Sequence, residues 1–212
     1  MFRAFRVTRF RPSRTALVLI GYQKDYFDPK GALYSVVEES HRVSGTLEHT
    51  VETLDHITES LITIVNTPIV FSETYKEIEN PTGILKAIKE IEAFKEGTPG
   101  AEVIDEIRKY GDRIKTIPGK KGFNAFSNTD LKKLLTDENI EQIVIAGCVS
   151  SLCINATALY AKDQGYEVTI LSDCTSSRTP LEQEMFCDEI FPLFANVITH
   201  NDFINAIESN PK

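Results

Sequence analysis

The chain has 212 residues, 42% of them hydrophobic and 25% charged, with a formal net charge of -8. That length suits one domain with a substantial core, and the acidic balance argues against nucleic acid as a partner. No stretch approaches the roughly 20 apolar residues that span a bilayer, and no signal-type apolar core follows the basic N-terminus. The four cysteines, Cys148, Cys153, Cys174 and Cys187, form no CxxC pair; with no secretory context, the expectation is a cytoplasmic protein with reduced thiols.

In chain order, the arginines at 3, 6, 9, 11 and 14 predict a solvated, poorly ordered arm over 1–14. Ala16–Ile20 reads as a buried strand. Thr46–Val65 carries apolar residues at 47, 51, 54, 57, 61, 62 and 64, mostly at helical spacing. A second strand is predicted at Ile69–Phe71. Pro81–Gly122, rich in Lys, Glu, Gly and Pro, reads as an excursion with short helices around 84–92 and 101–109. Asn128-Thr129-Asp130 signals the cap of a helix over Leu131–Leu135. Strands follow at Ile143–Ala146, Val168–Leu171 and Val197–Ile198. Between and after them lie helices over Ile154–Gly165, closed by its glycine, and Pro180–Phe191, with a last turn at Asp202–Ile207. Strands apolar on both faces that alternate with helices predict a single Rossmann-like, doubly wound α/β domain over 15–212. Its sheet is mostly parallel and has helices on both faces.

Ligands of such sheets bind beyond the carboxyl ends of the strands. That rule selects Gly21–Phe27, Ser72–Tyr75, Lys120–Phe126 and Gly147–Cys153. In the last of these, a β-branched run ends at Gly147, a polar turn follows, and Cys153 falls in the first turn of a helix. Exposed backbone N–H groups and the positive end of the macrodipole favour a thiolate there. A buried, inert thiol is the alternative. None of His41, His49, His56 and His200 falls at a strand end facing Cys153, and none shows ligand spacing for a metal. Lysine is the remaining cation, and Lys120 and Lys121 stand in the turn-like segment PGKKGFNAF.

Three blocks carry a resemblance to a known family: TALVLIGYQKDYF (15–27), KKGFNAFSNTDL (120–131) and IVIAGCVSSLCINATALYAKDQGYEVTILSDCTSS (143–177). The chain resembles the isochorismatase-like cysteine hydrolases, which include nicotinamidases, N-carbamoylsarcosine amidases and ureidoacrylate hydrolases. The resemblance implies hydrolysis of a C–N bond in a small amide or ureido compound through a thioester on Cys153. It maps the family lysine to Lys120, with Lys121 as fallback. It places a non-proline cis peptide at Cys148–Val149, so that the N–H groups of Val149 and Cys153 form the oxyanion hole.

The family's aspartate base falls on Gly21, which has no proton acceptor. Asp25 and Glu73 are the candidate substitutes. Gln23 is expected at the substrate, and Tyr26, Tyr75 and Phe126 are either apolar pocket walls or core aromatics. Metal-dependent members carry aspartate and histidine ligands after the second strand; Ser72, Glu73 and Thr74 supply no such set, so neither metal nor other cofactor is expected. The resemblance also implies a homodimer or homotetramer. The alternative is a non-catalytic or altered-mechanism member that binds a metabolite or a protein partner. Gly21→Asp separates these readings by whether turnover rises.

Overall fold

The structure is a computed structural model and describes residues 9–209; Arg3 and Arg6 of the predicted arm lie outside them. Strand β1 (Thr15–Ile20) is followed by a short helix α1 (Lys24–Phe27), then α2 (Tyr34–Ser44) and α3 (Thr46–Ile57). Gly45, at φ +65°, makes the left-handed break between α2 and α3. Strand β2 (Thr63–Thr67), α4 (Gly83–Glu90), α5 (Asp105–Arg108), β3 (Ile114–Thr116) and α6 (Leu131–Asp137) come next. The chain continues through β4 (Gln142–Cys148), α7 (Asn155–Asp163), β5 (Glu167–Ser176), α8 (Pro180–Met185), β6 (Asn196–Ile198) and α9 (His200–Glu208).

All strand pairs are parallel, and the six-stranded order is β3-β2-β1-β4-β5-β6. The expected α/β fold with a parallel sheet is what the chain adopts. Alternation along β1 explains why both faces are covered. Ala16, Val18 and Ile20 meet Leu131 and Leu135 of α6 and Ala158 of α7 on one side. Leu17 and Leu19 meet Leu54 and Ile57 of α3 and Phe203 of α9 on the other. Strand order reverses between β1 and β4, so the carboxyl ends of these two neighbours open the crevice where such folds hold ligands.

Three predicted elements differ. Residues 63–65, read as the tail of a helix, belong to β2: α3 stops at Ile57, Ser60 Oγ donates to Ile57 O at 2.7 Å, and the β-branched Thr63-Ile64-Val65 run enters the sheet. Ile69–Phe71 is not a strand of its own. It extends past β2 and makes single bridges, Ile69 with Lys120 and Phe71 with Lys95. The excursion 81–122 conceals the edge strand β3, whose Lys115 and Thr116 are exposed and so break the apolar signature. The described part of the arm is packed rather than free: Phe10 meets Phe203 edge-on at 4.8 Å, and Arg11 and Arg14 pair with Glu141.

Candidate active site

Strand β4 reaches the crevice through Gly147, at φ +123°. A Cβ there would lie 1.8 Å from Ile20 O on β1, so only glycine permits this approach. The next peptide, Cys148–Val149, is cis, as the resemblance implies. The chain then makes a π-helical turn, Ser150–Ile154, that runs into α7. Val149 O accepts from Leu152 N at 3.0 Å and from Ile154 N at 3.2 Å. Ser150 Oγ, donating to Gln183 Oε1 at 2.6 Å, anchors the turn. Cys153 therefore sits in the first turn of a helical run and is 7% exposed, reachable yet nearly dry.

Lys120 arrives from the far side of the crevice. Its bridge to Ile69 continues the sheet past β2, and Thr157 Oγ1 of α7 accepts from Ala125 N at 3.0 Å, tying the lysine segment to the cysteine helix. The side chain is 1% exposed, and its Nζ lies 3.5 Å from Cys153 Sγ. A buried ammonium needs a partner of opposite charge, and the sulfur is the hydrogen-bond partner it has. Lys121 is turned elsewhere, toward Val70 O and, at 3.3 Å, Glu77. Burial pushes the Glu77 carboxyl up, but hydrogen bonds from Ser72 and the contact with Lys121 prevail and hold it at about 2.

The cavity beside Cys153 is lined by Gly21, Tyr26, Lys120 and Cys148 among mostly apolar neighbours. Burial pushes the Cys148 thiol well up, Cys153 adds to this, and Lys120 opposes it, so Cys148 stays neutral. Burial likewise raises Tyr26, with the neighbouring Cys153, Cys148 and Asp25 adding to the shift, and keeps it a phenol.

Five residues expected at the site have other surroundings. Gln23 clamps the main chain, donating to Ile69 O and Ala101 O at 2.8 Å each and accepting from Ile69 N at 2.9 Å. Asp25 accepts from Ala32 N at 3.1 Å and Phe94 N at 2.6 Å, so both its oxygens are taken. Glu73 is exposed. Tyr75 is buried, with its hydroxyl on Ala93 O at 2.8 Å. Phe126 packs on Tyr160 and Tyr166 beside α7, and Phe123, three residues earlier, takes the wall position.

The family model of the isochorismatase domain matches residues 15–202. The chain belongs to the isochorismatase family. It is 23% identical over 211 residues to the ureidoacrylate amidohydrolase RutB of Agrobacterium fabrum, covering 93% of this chain and 91% of that one. It is 27% identical over 114 residues to the maleamate amidohydrolase of Pseudomonas putida, covering 53% and 52% of the two chains. A cysteine hydrolase of Pseudomonas syringae superposes with a TM-score of 0.81 over 95% of this chain and 96% of that one, at 20% identity. That last likeness is one of fold.

Within this isochorismatase-family site, Gly21 stands out. Its φ is +79°, and a Cβ there would lie 2.8 Å from Cys148 O and 2.9 Å from Cys148 Sγ. The Cys148 thiol points back at Gly21 O from 3.7 Å. The space beside residue 21 is thus filled from β4. Among the described residues no carboxylate lines the cavity.

Away from the cavity lies a histidine pair that no sequence pattern announces. His49 of α3 and His200 of α9 stack at 4.3 Å and 15°, with Asp173 of β5 between their elements. His200 Nδ1 is 2.6 Å from Asp173 Oδ2, and its Nε2 is 3.3 Å from Glu52 Oε2. His49, Asp173 and His200 bring ligand atoms within 4.8 Å of one another. His49 Nδ1 faces two carbonyls, Ser44 O at 3.0 Å and Asp173 O at 3.2 Å, and donates to them. The cluster ties α3 and α9 to β5. Residues 49 and 200 are too far apart in sequence for spacing to reveal it.

Proposed function

We propose that the chain is a cysteine amidohydrolase whose nucleophile is Cys153 and whose proton carrier is Lys120. The observation that carries this reading is the buried Nζ–Sγ contact of 3.5 Å at the sheet's switch point, in a cavity lined by no carboxylate among the described residues. In this mechanism the Cys153 thiolate attacks the amide carbonyl, and the oxyanion is held by the N–H groups of Val149 and Cys153. Lys120 gives its proton to the departing amine as the C–N bond breaks, which leaves a thioester and a neutral lysine. Water then adds to the thioester, losing a proton to Lys120. The acid leaves, and the thiolate–ammonium pair is restored. The reaction consumes one amide and one water and yields one acid and one amine, with no further base.

Three relationships support the reading: family membership, the amide substrates in the names of the ureidoacrylate and maleamate relatives, and the sequence resemblance that maps the family's cysteine and lysine to Cys153 and Lys120. Gln23 and Asp25 are positioning residues that hold the loops around the crevice. Incubation with small primary amides should release ammonia and leave a transient acyl mass on Cys153. Cys153→Ala should abolish both. Hydrolysis that survives Cys153→Ala unchanged ends the proposal. Binding of an amide with no acyl adduct, and no effect of either Cys153→Ala or Lys120→Met on any turnover, favours the non-catalytic alternative.

A further inference from the structure

We propose that the cavity selects an uncharged, apolar acyl group and rejects amides that carry a carboxylate. This rests on the hydrolase reading and deepens it. The walls facing Cys153 are Ile69, Ile84, Leu85, Ile88, Phe123 and Leu152, three of them from α4. The cavity has about 10 Å³ for water centres, room for roughly one water. A bound acyl chain must therefore push aside the α4 side chains and lie among apolar atoms.

Charge points the same way. Lys120 is the cation lining the cavity, and the Cys153 sulfur already holds it. Asp25 lies close enough behind Tyr26 for its charge to act on that phenol, and both its oxygens are fixed by main-chain donors. Among the described residues that line the cavity, no second cation stands ready for a substrate carboxylate. A substrate carboxylate would enter without a partner, lose its hydration and meet repulsion from the sulfur. Burying an unpaired carboxylate is among the most expensive events in a protein interior. An aliphatic acyl group instead gains from burial against the α4 leucine and isoleucines.

Two matched pairs of probes test this and separate it from the hydrolase reading. Butanamide and succinamate have the same chain length and differ by a carboxylate; ammonia release gives kcat/KM for each. Iodoacetamide and iodoacetate differ by the charge of a carboxylate in place of a neutral carboxamide; the rate of Cys153 alkylation, read by mass spectrometry and normalised to free glutathione, requires no turnover. The expected preference for the neutral member is on the order of 10²-fold in each pair. Leu85→Lys, which adds an ammonium to a half-buried wall position, should raise succinamate turnover at least ~10-fold relative to butanamide. Equal or better handling of succinamate and iodoacetate by the native chain overturns the inference. Preference for iodoacetamide with no hydrolysis of either amide upholds the apolar cavity and overturns the hydrolase reading instead.

Discussion

Replacing Gly21 by aspartate supplies the base that the sequence resemblance implies at this position, and by sequence reasoning it should raise turnover in a disabled enzyme. The structure reverses that expectation. The new Cβ would stand 2.8 Å from Cys148 O and 2.9 Å from Cys148 Sγ, closer than carbon packs against either atom. The carbonyl belongs to β4, whose Cys148 is in register with Ser176 of β5, so it has little freedom to retreat. Left-handed backbone at φ +79° adds roughly 1–2 kcal/mol for a residue with a Cβ, and forced overpacking adds about 1–3 kcal/mol. The sum, about 2–5 kcal/mol, corresponds to a melting temperature lower by roughly 5–20 °C for a chain of this size. Gly21→Ala carries the same Cβ and should lose nearly as much. Gly21→Asp combined with Cys148→Ala removes the sulfur contact but not the carbonyl contact, and should recover only part of the loss. Thermal melts and ammonia release on the four proteins decide it. If Gly21→Asp melts within about 2 °C of the parent and hydrolyses amides faster, the steric reasoning is refuted and the site is a disabled triad.

Lys120→Met should lower kcat/KM by at least ~10²-fold and slow alkylation of Cys153 at neutral pH, whereas Lys120→Arg, which keeps the charge but gives up no proton, should preserve alkylation and still lose turnover. Asp25→Ala leaves the Ala32 and Phe94 N–H groups without acceptors and should cost about 2–4 kcal/mol in urea unfolding, while Glu73→Ala, at an exposed position, should change stability by less than about 0.5 kcal/mol and leave turnover as it was. His41 is lowered by burial to about 4, and its Nε2 is buried without a partner. Because the unfolded chain takes up this proton first, stability present above pH ~6.5 should fall as pH drops toward ~4, by about 3 kcal/mol in all, and His41→Phe should flatten denaturation midpoints over that window.

Much of the fold was written in apolar runs. Ala16–Ile20 and Ile143–Ala146 are buried on both faces, and uninterrupted hydrophobicity is how such central strands announce themselves. β3 gave no such signal, because an edge strand with exposed Lys115 and Thr116 has nothing to bury on those positions. β2 was hidden for a different reason: Leu61, Ile62 and Ile64 extend the helical spacing of α3, and only the end of the helix at Ile57 separates the two periods. At the site, Cys153 and Lys120 were legible because a strand end and a resemblance agreed. Gln23 and Asp25 were legible as important but not in kind. Their partners are main-chain groups of residues 32, 69, 94 and 101, and a sequence does not show which distant carbonyl or N–H a side chain will reach. Phe123 was missed in favour of Phe126 because a shift of three residues in an irregular loop exchanges cavity for core.

The absence of an acid at position 21 is therefore coupled to the identity of residue 148. A carboxylate beside a nucleophilic thiol has one task, to hold the thiol proton until the amine departs. In the proposed mechanism sulfur and lysine meet as an ion pair, and that proton is carried by Lys120, next to the bond that must break. An acid at position 21 would then add a second negative charge beside the thiolate in a nearly dry cavity, which works against the same pair. Gly21 and the neutral Cys148 thiol avoid that charge and fill its space at once, the sulfur standing 2.9 Å from where a Cβ would be. On this argument Cys148→Asp, which brings a carboxylate to the sulfur's place while residue 21 stays glycine, should suppress Cys153 alkylation by iodoacetate more strongly than by iodoacetamide. An equal effect on both reagents would show that charge in the crevice is not what the glycine protects.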